Sequence, residues 1–309
     1  MIVILILLTL VAGAVIPLQT SINARLSQFT HSSFYASTLS FFVGTCTLAI
    51  IILLIAPHYF TLHTWQQFQF DYHWLIGGLM GVIFLTGNLI LLPRIGASLT
   101  VVTTLSGQLL MSVMIDTFGW FHIPIQPLNI YKAIGVVILA VGIGFMNYHT
   151  SSKSSQGQRP KPLWLMTGVL FGFAPPIQTA INSSLGQMTH SPLFAALISF
   201  SVGTLTLFII TCVFHRRFSI VNNHEKFGAL RWWYFIGGAL GALFVTTNII
   251  VAPLLGITLT LIIIMLGQII MGLCIDHFGW MGIPKQTIQR NRILGLICIV
   301  IAIIIIQFN

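Results

Sequence analysis

The sequence predicts an all-α integral membrane protein with ten transmembrane helices, built as two inverted five-helix repeats. Three observations predict it. First, the 309 residues are 56% hydrophobic and only 6% charged, where a soluble domain carries about 25% charged residues. A water-facing surface cannot be made from 13 Lys+Arg and 4 Asp+Glu, which excludes a soluble enzyme, a secreted disulfide scaffold and a disordered chain. Second, the apolar residues gather into runs of roughly 20, the length that crosses a bilayer. Third, the two halves of the chain repeat each other.

The runs fall at 2–23, 34–56, 74–93, 97–115, 130–147, 163–182, 193–214, 232–252, 257–275 and 292–308. Helices are expected because every backbone amide in hydrocarbon must be paired internally, and the runs are too long for barrel strands. The first run lacks a basic leader and has a counterpart in mid-chain, so it is expected to be a mature helix and not a signal peptide. Pro17 lies inside it and is expected to kink it. The third and fourth runs are parted by Pro93 and Gly96. After the fifth run comes a polar, Ser-rich segment that ends in prolines and reads as a linker. The domains expected are therefore 1–148, a linker at 149–162, and 163–309. The sixth run opens the second half, with Pro175 and Pro176 inside it. Trp164, Trp232 and Trp233 begin helices and read as interfacial anchors.

Helix by helix, the second half copies the first. Pro17-Leu-Gln-Thr-Ser-Ile-Asn23 recurs as Pro176-Ile-Gln-Thr-Ala-Ile-Asn182, an offset of 159 (176 − 17). Ser40-Phe41 and Gly44-Thr45 recur at the same offset as Ser199-Phe200 and Gly203-Thr204. Beyond the second helix the offset is 160 (237 − 77): Gly77-Gly78, Gly81, Asn88, Pro93 and Gly96 become Gly237-Gly238, Gly241, Asn248, Pro253 and Gly256. Gly107-Gln108 and Asp116-Thr-Phe-Gly-Trp120 become Gly267-Gln268 and Asp276-His-Phe-Gly-Trp280. One extra residue in the 215–231 loop accounts for the change. The spacings Gly77-x3-Gly81, Gly168-x3-Gly172 and Gly237-x3-Gly241 suit close helix packing.

An odd number of helices per repeat turns the second repeat upside down. The charges agree. Arg25, Arg94, Lys153, Arg159, Lys161, Arg216, Arg217, Lys226, Arg231, Lys285, Arg290 and Arg292 all fall on one side of the predicted membrane, and Lys132 alone on the other. By the positive-inside rule the first side is cytoplasmic and both termini are outside. The net charge of +9 has no basic face and no stacking platform, so nucleic acid is not an expected partner. Inverted repeats of this kind are a common plan for secondary transporters.

The Pro-Leu-Gln-Thr-Ser-Ile-Asn segment, the Ser-Phe-x-x-Gly-Thr of the second helix, the Gly-Gly-x-x-Gly…Asn…Pro of the third and fourth, and Gly-Gln…Asp-x-Phe-Gly-Trp resemble the YdcZ-like family. This five-helix membrane family sits in the drug/metabolite transporter superfamily and also occurs as two-domain fusions with antiparallel halves. The resemblance covers both halves. It implies a transporter in the inner or plasma membrane that exports a small metabolite or drug-like compound by alternating access. Arg25 departs from the repeat, since its counterpart is Ser184. Related ten-helix transporters are usually drawn with cytoplasmic termini, opposite to the charge reading here.

Candidate binding residues are the amides inside the spans. Gln19 and Asn23 are four apart and share a helix face, as do Gln178 and Asn182; Asn88, Gln108, Asn248 and Gln268 complete the two sets. An amide in hydrocarbon is costly unless paired, so these groups either bond across helices or line a wet cavity, and both readings stand. Asp116 and Asp276 are candidates for a gate or coupling role, with a turn-forming residue at the membrane surface as the alternative. Asp71 and Glu225 lie in loops. No catalytic residue, metal site or cofactor is expected: the ten histidines fall in loops or at helix ends, and Cys46, Cys212, Cys274 and Cys298 read as small buried hydrophobes. The partners expected are a small neutral or amphipathic substrate and the lipid bilayer, with a homodimer left open. A membrane enzyme acting on lipid-linked substrates is disfavoured by the scarcity of acids. A lipid-linked substrate translocase and a non-transporting assembly or sensor subunit remain as alternatives.

Overall fold

The computed structural model of the chain describes residues 2–68, 71–147, 162–214, 220, 229–280 and 290–307. Their regular structure is all helical: α1 (Ile2–Thr30), α2 (Ser33–Ile55), α3 (Leu62–Gln67), α4 (His73–Phe118), α5 (Ile130–Asn147), α6 (Pro162–Gly172), α7 (Ala174–Met188), α8 (Pro192–Phe214), α9 (Gly237–Leu255), α10 (Ile257–Phe278) and α11 (Arg290–Gln307). Short 3-10 turns occupy Pro57–Phe60, Trp120–His122 and Trp232–Phe235. The expected linker lies outside the described residues except for Pro162, as do Glu225 and the side chains of Asp276 and Arg292.

Among the described residues six helical segments are long and apolar enough to cross a membrane, and His73–Asn88, Ile130–Phe145 and Ile293–Ile306 are shorter apolar helices. This is an all-α membrane protein, but two elements differ from the ten separate spans expected. The third and fourth runs form one helix, α4, of 46 residues. Straight, it would extend about 69 Å. It is not straight, because Gly87 packs on Phe171 while Gly107 packs on Val169 and Gly172. Two positions 20 apart (107 − 87) thus meet the same turn of α6, so α4 folds back on itself. The reversal falls in the stretch containing Pro93, where a missing amide donor weakens the helix. The sixth run is one membrane-length segment, Pro162–Met188, made of two helices. It breaks at Phe173, and Pro175 and Pro176 occupy the first turn of α7, where an absent N–H leaves no bond unmade. Pro17 lies inside an uninterrupted α1.

Local sequence sets the other ends. Ser32 and Ser191 cap α2 and α8, each hydroxyl accepting from the amide three residues on at 3.2 Å. The preceding residues, His31 and His190, both adopt left-handed backbone, at φ 51 and 52. Gly119 and Gly279 end α4 and α10 in left-handed conformation, as such ends favour. Within the helices many Ser and Thr hydroxyls donate to carbonyls one turn back, for example Thr9 to Leu5 at 2.6 Å and Thr104 to Thr100 at 2.8 Å, so those groups need no water.

The repeats are interleaved. The most extensive helix contacts all run between them: α5 with α11, α1 with α9 and α10, α6 and α7 with α4, and α2 with α8. Glycines make this possible. Gly13 lies on the backbone of Ile264, Gly267 on that of Leu10, and Gly172 on that of Thr104. Gly238 lies against Ser40, and its repeat partner Gly78 against Ser199. Every contact of this set in one repeat is answered by its copy in the other. Leu139, Ile143, Ile299 and Ala302 of α5 and α11 belong to one apolar cluster.

Candidate functional site

Each repeat builds the same arrangement from the other's glycines. On α1, the side chains of Gln19 and Asn23 lie against Gly241 and Gly237 of α9; on α7, those of Gln178 and Asn182 lie against Gly81 and Gly77 of α4. The four-residue spacing of the amides matches that of the glycines, so each amide lies flat on a backbone that has no side chain to push it away. Asn182 is 1% exposed and donates through Nδ2 to Ser199 Oγ at 3.0 Å. Its Oδ1, and those of Asn23 and Asn248, are buried without a hydrogen-bond partner among the described residues. Asn88 donates to the Phe84 carbonyl one turn back at 3.0 Å. Asn248 and Gln108 are buried, and Gln268 is half-buried. The structure thus gathers Gln19 and Asn23 at one inter-repeat seam and Gln178 and Asn182 at another.

A cavity of about 220 Å³ lies at the end of the second seam, lined by Asp71, His73, Trp74, Phe121, His122, Ile181, Ser184, Leu185 and Met188. Ile181, Ser184, Leu185 and Met188 share one face of α7, next to the face on which Gln178 and Asn182 lie. At its mouth His73 Nδ1 lies 2.8 Å from Asp71 Oδ1. The His73 side chain and backbone hydrogen bonds hold the Asp71 carboxyl below its usual value. Apart from His122 and Ser184, the rest of the wall is aromatic and apolar.

Asp116 departs most from expectation. It is no surface turn residue: it is 0% exposed. Its Oδ1 accepts from the Ile257 amide and its Oδ2 from the Thr258 amide, both at 2.8 Å. These are the first two residues of α10, in the other repeat. Lys132 Nζ lies 3.2 Å from Oδ2 and is itself buried. Gly256, which precedes α10, has no side chain with which to cap it, and a carboxylate from across the repeats takes that place. Lys132 is the residue that sequence reasoning missed. Its buried ammonium pairs with the Asp116 carboxylate. The side chain of Asp276 lies outside the described residues. The four cysteines are free and half-buried, where full burial was expected. Arg94 lies over the Trp164 ring at 4.4 Å, joining the bend of α4 to the start of α6.

The family described as "Putative inner membrane exporter, YdcZ" matches the chain twice, over residues 4–145 and 163–305. The inner membrane protein YdcZ of Escherichia coli (strain K12) is 28% identical over 125 residues, covering 40% of this chain and 81% of that protein. A solved crystal structure that is 14% identical superposes with a TM-score of 0.67 over 99% of this chain and 96% of its own. At that identity the likeness concerns the fold.

Proposed function

Because the chain belongs to the YdcZ family of inner membrane exporters, as a fusion of two family domains, we propose that it is a ten-span secondary transporter exporting a small metabolite or drug-like compound by alternating access. The domains are 1–148 and 163–309, joined by the 149–162 linker, which lies in the cytoplasm with both termini outside. The observation that carries this reading is the pair of seams. Gln19 and Asn23 on Gly241 and Gly237, and Gln178 and Asn182 on Gly81 and Gly77, are copies of one device in two repeats of opposite orientation. Buried amide oxygens without partners among the described residues, at Asn23, Asn182 and Asn248, suit a ligand that brings N–H or O–H donors, since leaving them unpaired is costly. Asn88, Gln108 and Gln268 extend the path, and the cavity beside Trp74 and Met188 is its outer vestibule. Asp116 and Asp276 gate or couple the cycle.

A thermal-stability screen of the purified protein against a compound library, followed by flux in proteoliposomes, tests this. A compound that stabilises the wild type, stabilises Asn182→Ala or Asn23→Ala at least about tenfold more weakly, and crosses the wild-type membrane is the expected result. Stabilising compounds that are never carried across would favour a sensor or assembly subunit instead.

A further inference from the structure

We propose that Asp116 and Lys132 form a latch between the repeats that pins the segment Gly119–Gln126, and that this latch must release before the outer end of the protein can open. The contacts close a ring. Asp116 Oδ1 and Oδ2 accept from the Ile257 and Thr258 amides at 2.8 Å each. Lys132 Nζ donates to Asp116 Oδ2 at 3.2 Å and to the Gln126 carbonyl at 3.3 Å. The Gln126 amide returns to the Asp116 carbonyl at 2.8 Å. The Gln126 carboxamide also fills the space where a side chain at Gly256 would stand, and Gly256 has φ +82, which glycine adopts without strain. The Asp116 carboxylate thus holds the start of α10 and a buried cation, and that cation together with the Asp116 backbone carbonyl holds Gln126 at the base of the Gly119–Gln126 segment.

The pinned segment is strained. Phe121 and His122 hold left-handed backbone at φ 58 and 62, a conformation that costs a residue with a side chain and persists only where its surroundings impose it. Those two residues also form part of the cavity wall. The segment therefore joins the cavity to the latch: a ligand pressing on Phe121 acts on a loop that tends to relax once Asp116 lets go. Low local dielectric makes the ring strong while complete and costly when one member is lost.

The test is amide hydrogen exchange on the full-length protein in lipid, comparing wild type with Asp116→Asn, Lys132→Gln and the double variant. Exchange at Ile257, Thr258 and through 119–126 should quicken by about 100-fold or more in each single variant, the scale of losing a buried charge partner, while the helices around Thr45 and Thr204 keep wild-type rates. The double variant, which buries no charge, should be nearer to wild type than either single. Should Asp116→Asn fail to fold, Asp116→Glu keeps the charge and shifts the carboxylate by one methylene, and should still quicken the same amides. Unchanged local exchange, or an equal rise throughout the bundle, would overturn the latch. The role in opening rests on the transporter reading, but the exchange readout needs no substrate, so failure of one is distinguishable from failure of the other.

Discussion

The hydroxyls of Thr45 and Thr204 meet at 3.0 Å, and the two residues are 159 positions apart. That number is the repeat offset itself, so each threonine touches its own copy. The same is true of Phe41 and Phe200, whose rings stack at 5.1 Å between centroids. A residue can meet its copy only on the axis that relates the repeats. The pseudo-two-fold axis therefore passes between α2 and α8, at these two pairs.

This placement predicts a crosslink. In a background with Cys46, Cys212, Cys274 and Cys298 replaced, Thr45→Cys with Thr204→Cys should form a disulfide on mild oxidation, detected by mobility before and after reduction. Losing the hydroxyl pair in a Thr45→Val, Thr204→Val variant should cost only about 0.6 kcal/mol, the usual worth of an interhelical hydrogen bond in a membrane.

The glycines predict a contrast in stability. A side chain at Gly238 would run into the Ser40 carbonyl and the Gly44 amide, so Gly238→Ala should destabilise by about 1–3 kcal/mol, the cost of overpacking. Gly144 on α5 has nothing within 4 Å of its missing Cβ, so Gly144→Ala should be neutral or stabilise by about 0.5–1 kcal/mol. Thermal unfolding in detergent ranks the two.

Energy coupling is predicted from the acids. Asp71 sits in a loop and Asp116 is engaged by a cation and two amides, so transport should run on the substrate gradient or take its proton dependence from Asp116 and Asp276. With both replaced by Asn, an imposed pH gradient should no longer accelerate flux in proteoliposomes. Continued acceleration would place the proton carrier elsewhere, with the histidines as the next candidates.

Much of this was legible in the sequence, and the reason is the duplication. Polar and glycine positions that keep phase over five helices foretell reciprocal contacts, and Gly77 with Asn182 answers Gly237 with Asn23. The helix count was less legible. Pro93 and Gly96 look like the end of one span and the start of another, yet both lie within the single helix α4, which turns back on itself between Gly87 and Gly107. Pro175 and Pro176 interrupt one membrane-length segment, Pro162–Met188, by opening α7 just after the break at Phe173. A proline marks a weak point without saying whether the chain bends or breaks there. The burial of Asp116 was not legible because Asp-Thr-Phe-Gly-Trp is local turn chemistry, while the partners that bury it lie 16, 141 and 142 residues away. A signal did exist. Asp276 and Arg292 repeat the same acid-to-cation spacing of 16 (292 − 276) in a chain with only 4 acids.

Labelling of Tyr72→Cys and Trp232→Cys tests the inverted duplication most directly. The two positions are repeat copies, 160 apart (232 − 72), and their native side chains are 67% and 79% exposed. In intact cells without native cysteines, a membrane-impermeant maleimide should modify Tyr72→Cys, while Trp232→Cys should react only after the membrane is permeabilised. Modification of both from the same side would contradict the inverted arrangement, and with it the alternating-access account.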